Sequence, residues 1–106
     1  MLTFDPYVVD VLLPDLVGHD RRPSAYLVYL ALLRRALETK GDVPASLQSL
    51  TESTGLSKRA VQDALEHLAR RKLVTARRET STAVARFRVH EPWAERRRRT
   101  GAERSA

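Results

Sequence analysis

The chain has 106 residues, 42% apolar and 30% charged, with no cysteine and a formal net charge of +6. That length holds one domain with one modest core, and two domains of ordinary size are not expected within it. The composition excludes a disordered chain, while the missing cysteines exclude disulfides and thiolate metal sites and fit a reducing cytoplasm.

The first residues, Met-Leu-Thr-Phe-Asp, carry no basic region. Asp10, Pro14 and Asp15 interrupt the apolar stretch from Tyr7 to Val17, so no signal peptide is expected. No apolar run approaches the length of a membrane span. Asp5 as N-cap and Pro6 at the first helical position predict a short helix to about Leu13, ended by Pro14. Residues 15–20 can add one turn, with Gly18 as a break. Ser24 is then expected to cap the longest helix, Ala25 to Lys40, with Gly41 as its stop. Tyr26 to Leu33, Ala36 and Leu37 wrap most of its circumference, which predicts burial on more than one side. Either it is a central core helix, or it is shared with a second subunit.

Val43-Pro44 can form at most a scrap of strand. Ser46 predicts a cap for a short helix from Leu47 to Ser53. Thr54-Gly55-Leu56 reads as a turn, and Ser57 as the cap of a third long helix reaching about Arg71. Val61, Ala64, Leu65 and Leu68 mark the buried face of that helix. After Lys72 the period changes to two. Leu73 to Arg78 and Ala83 to His90 read as a hairpin around the polar turn 79–82, with Ala83, Ala85, Phe87 and Val89 on the packed face. Residues 93–106, with four arginines at 96–99, read as a flexible basic tail. The fold class expected is mainly α with a small antiparallel β-hairpin.

Residues 46 to 74 resemble the bacterial winged helix-turn-helix of the GntR and MarR kind. Leu47 and Leu50 match its supporting helix and Thr54-Gly55-Leu56-Ser57 its turn. Val61, Leu65 and Leu68 match its second helix, and Leu73-Val74 the start of its wing. With the hairpin included, the resemblance covers about 45 residues. One departure is Lys72, where these families often place Gly. The resemblance divides a domain over 1–92 into N-terminal helices (1–41), a helix-turn-helix (46–72) and a wing (73–90). It implies a recognition helix that enters the major groove of double-stranded DNA.

Charge agrees with a polyanion partner for the second half. Residues 1–56 hold five Lys/Arg and seven Asp/Glu, whereas residues 57–106 hold fourteen and six. On the third helix, Arg59, Asp63, Glu66 and Arg70 point away from the apolar face, with Lys58 and Gln62 to one side. Arg59 and Gln62 suit base edges; Ser57 and Lys58 suit phosphates. Asp63 and Glu66 share that surface, and the pairs Arg59/Asp63 and Glu66/Arg70 are also spaced as ordinary ion pairs. Arg77, Arg78, Arg86 and Arg88 suit a wing on the backbone or in a minor groove.

His19, His67 and His90 have no paired spacing, so no metal site is expected, and no phosphate-cradling loop or nucleophile elbow is present. The expectation is a cytoplasmic, nucleoid-associated transcriptional regulator without enzymatic activity or cofactor, acting as a homodimer; the sequence does not say whether an effector tunes it. Two alternatives stay open. One is a plasmid or phage replication or partition factor, the other a winged-helix module that docks a protein.

Overall fold

The computed structural model describes residues 3–78, 80 and 83–94. Asp5 caps the first element as expected, its Oδ1 accepting from the Tyr7 N–H at 2.9 Å. The chain then winds wide, in π-helical turns over Val8–Leu12 and Pro14–His19. Hydrogen bonds five residues apart draw positions four and five apart onto one face. Val8, Leu12 and Leu16 are therefore buried together, with Leu13 and Val17 beside them. Pro14 does not end the helix, and Gly18 does not break it. Pro14 instead stands first in the second run, where its missing N–H costs least. The segment stops at Arg21, whose φ of 56° is left-handed.

Helix α1, Pro23–Thr39, starts at Pro23 rather than under a Ser24 cap: Arg22 is the N-cap, without a side-chain bond. Its end likewise differs from expectation. Lys40, not Gly41, takes the left-handed cap conformation, and its N–H bonds Ala36 O. Ala25, Tyr26, Val28, Tyr29, Leu32 and Leu33 are buried, so α1 is the central core helix. It packs against the N-terminal segment, the next two helices and two strands. Tyr26 donates its OH to Val8 O at 3.0 Å, and Tyr29 donates to His90 O at 2.7 Å. Burial pushes both phenol pKa values up, Tyr29 with help from Glu91. Leu27 and Leu37 remain 44% and 38% exposed, so one stripe of the apolar circumference is left outside the core.

Strand β1 is Val43–Pro44 and helix α2 is Leu47–Thr54. Ser46 caps α2 with a reciprocal box: its Oγ accepts from Ser49 N at 3.1 Å, and Ser49 Oγ accepts from Ser46 N at 3.2 Å. Arg35 of α1 braces α2 by donating to Ser49 Oγ and Ser53 Oγ. Gly55, at φ 77°, makes the turn that the sequence assigns to it; a Cβ there would have space, so the constraint is backbone conformation. Leu56 is half-buried in the angle, and Ser57 caps helix α3, Lys58–Arg70.

The end of α3 explains the departure at Lys72. Leu73 N bonds Leu68 O and Lys72 N bonds Ala69 O, the paired bonds of a Schellman motif. Lys72 holds φ 59° between them, the conformation for which glycine is the favoured residue. Leu68 and Leu73, both buried, complete the motif's apolar contact. Lys72→Gly is thus expected to stabilise the fold by about 0.5–1 kcal/mol, because the left-handed penalty exceeds the added chain entropy. The melting midpoint should rise by about 4 °C. A fall in midpoint would show that the lysine side chain contributes more than its backbone costs.

Strands β2, Val74–Arg77, and β3, Arg86–Val89, pair antiparallel, and β1 adds to the other side of β3. The expected hairpin is therefore a three-stranded sheet in the order β1-β3-β2. The short reach of Val43-Pro44 suffices because Pro44 sits on an edge, where no ladder donor is needed. Residues 83–85 stay outside the ladder except for Ala85 O, which accepts from Ala45 N. Phe87 turns inward and is buried, with Ala85 and Val89 packed beside it on the expected face. Trp93, read from sequence as part of the tail, packs against Tyr7 at 5.6 Å between centroids, the ring planes tilted by 43°. Arg96–Arg99 lie outside the described residues, as do Glu79, Ser81 and Thr82 of the turn. Among the described residues, no helix is long and apolar enough to cross a membrane.

Candidate nucleic-acid interface

Helix α3 buries Val61, Ala64 and Leu68 and leaves Lys58, Arg59, Gln62, Asp63, Glu66 and Arg70 exposed. The outward face is thus the one expected from helical spacing. Ser57 accepts from Ala60 N at 3.1 Å while its own O–H can still donate, so the start of α3 offers a hydroxyl and free amides to an anion. Arg59 Nε lies 3.8 Å from Asp63 Oδ2, with the arginine 87% exposed. So open a pair contributes little and leaves the guanidinium free to exchange partners. Among the described residues, no ion pair joins Glu66 to Arg70.

The four hairpin arginines divide. Arg78 reaches the same groove as Arg59, Gln62 and Glu66, a space of about 810 Å³ between α3 and the inner side of the hairpin. Leu47, Leu65, Val84 and Phe87 give that groove an apolar floor and rim. Arg77, Arg86 and Arg88 belong to the other face, because successive strand residues point to opposite sides. The register sets Arg77 directly opposite Arg86 and Thr75 opposite Arg88. Asp42 approaches Arg77 to 3.9 Å. Ser57, Lys58, Arg59, Gln62, Asp63, Glu66 and Arg78 can therefore share one ligand surface, while Arg77, Arg86 and Arg88 form a second; Arg78 borders both.

A polar cluster that sequence spacing hid holds the back of α3. Asp20 Oδ1 accepts from His19 Nδ1 at 2.9 Å, and Oδ2 accepts from His67 Nε2 at 2.8 Å and Arg71 Nε at 3.1 Å. Arg71 also bonds Asp15. The bonds from His19 and His67 hold the Asp20 carboxyl below its usual range; Arg71 adds to this and burial opposes it. The Asp20 side chain is only 8% exposed and ties the N-terminal segment to α3. Positions 20 and 67 carry no sequence signal of their meeting, since it depends on tertiary packing. Donor atoms of Asp15, His19 and Asp20 come within 4.8 Å of one another, as metal ligands would. The Arg71 guanidinium already bonds both acids, however, and the group reads as an ion-pair network.

No protein-family model, curated protein or solved structure matches this chain. Function therefore rests on the physical character of these surfaces.

Proposed function

We propose that this protein binds double-stranded DNA sequence-specifically, as a winged helix-turn-helix transcriptional regulator. The observation that carries the reading is the capped helix α3, whose polar face stands beside an arginine-bearing hairpin. A helix of that size fits the major groove of B-DNA. Arg59 and Gln62 would read base edges, with Ser57 and Lys58 on phosphates and Asp63 and Glu66 limiting which bases are accepted. The short helix, tight turn and capped helix followed by a small antiparallel sheet support the same family likeness. Arg78 would extend the contact from the hairpin, as a wing, to the backbone or minor groove.

The exposed α1 stripe of Leu27 and Leu37, with half-buried Leu30 between them, supports a homodimer. A two-fold pair would read half-sites about one helical turn apart. A nucleoid location follows from the same reading. The apolar floor of the α3 groove and the two acids on its wall support a second reading, docking of a protein segment.

Fluorescence anisotropy of a labelled random duplex, titrated across salt concentrations, separates the two. DNA binding predicts that log affinity falls linearly with log salt, with a slope that implies several neutralised phosphates. An absence of binding at low salt would sink the DNA reading and leave the protein-docking one.

A further inference from the structure

We propose that the outer face of the sheet, carrying Arg77, Arg86 and Arg88, is a second DNA-backbone contact. It would hold a separate stretch of duplex, so that one domain joins two. The inference rests on the DNA reading above and extends it.

The geometry begins with the register. Arg77 and Arg86 are direct cross-strand partners, and Arg88 lies two residues along β3 on the same face. Like charges placed opposite each other on a sheet repel and destabilise the pairing unless an anion sits over them. Asp42 offsets only part of this, at 3.9 Å from an Arg77 that is 71% exposed. Lys40 and Arg88 border a neighbouring hollow with Asp42 and Glu91. The face as a whole thus keeps an excess of positive charge: Arg77, Arg86 and Arg88 against Asp42.

Helices α1 and α3 both pack on the inner side of this sheet. The exposed face of α3 and Arg78 open onto the groove on that inner side. The outer arginines point away from it, so a duplex seated in the groove leaves them unneutralised. This row of guanidinium groups borders an open hollow of about 530 Å³ at Arg77, Arg78 and Arg86 and runs on to Arg88 beyond it, a spread wider than a single small anion. Its match is a long polyanion, held through phosphates without regard to sequence.

The test uses the full chain, a biotinylated duplex on beads and a labelled free duplex at low salt. The wild type should capture the free duplex on the beads. Arg86→Glu/Arg88→Glu should still bind bead-borne DNA but capture the second duplex at least tenfold less, and Arg86→Gln/Arg88→Gln should fall between the two. Lys58→Glu/Arg59→Glu, which damages the other face, should also abolish capture. Circular dichroism confirms that each variant is folded. Capture that survives the Arg86/Arg88 variants would overturn the proposal and place bridging in a dimer with two α3 faces. Binding without any capture by the wild type would overturn it while leaving the DNA reading intact. Failure to bind even the first duplex would remove both.

Discussion

Asp20→Ala should lower the unfolding free energy by about 2–3 kcal/mol and the melting midpoint by roughly 10–15 °C. The carboxylate collects N–H groups from His19, His67 and Arg71, and its loss leaves those donors facing a cavity. His67 is only 15% exposed, so water cannot replace the acceptor fully. Arg71 is 37% exposed and keeps Asp15, which puts the expected loss at the low end for broken buried pairs. A loss under about 0.5 kcal/mol would reduce the cluster to surface decoration.

Acid provides an independent measure of the same group. The Asp20 pKa is held below 3.8 in the fold, so its bound proton favours the unfolded chain. Its stabilisation is complete above the unfolded value of 3.8 and is lost as pH falls through the lower folded value. Wild-type and Asp20→Ala stabilities, followed by thermal melts at descending pH, should therefore converge in acid. A gap that stays constant through that range would mean the charge of Asp20 is not what stabilises.

The second large effect concerns α3. On its preferred duplex, Arg59→Ala should weaken binding by about 1–3 kcal/mol, and discrimination at one base position should relax. The substitution also leaves Asp63 without its cation, which adds repulsion toward phosphates. Asp63→Ala should act in the opposite direction, strengthening nonspecific binding several-fold because Arg59 is released and an acid is removed. Paired anisotropy titrations read both signs. Equal affinities for wild type and Arg59→Ala would move recognition off this helix.

Local chemistry made much of this molecule readable in advance. The caps at Asp5, Ser46 and Ser57 and the left-handed Gly55 each follow from a side chain meeting its own neighbouring backbone. The polar face of α3 follows from helical spacing alone. The misreadings share a cause in long-range packing. Pro14 is a stop signal by local rules, yet a wide-wound turn accommodates it while Val8, Leu12 and Leu16 reach the core together. Two residues at Val43-Pro44 carry too little pattern to announce a strand, and they become one because β3 presents an open edge. The alternation of residues 83–90 showed which side chains share a face, but not that the arginine face turns away from α3. Asp20 and His67 lie 47 positions apart, and no periodicity links them.

The contact of Tyr7 with Trp93 gives the molecule an optical property of its own. Trp93 is the sole tryptophan, so all indole emission comes from the place where the N-terminal segment meets the chain beyond the sheet. Its wavelength follows the wetness of that junction. A DNA ligand or a second subunit that loosens the N-terminal segment would shift the emission to the red without any label being attached.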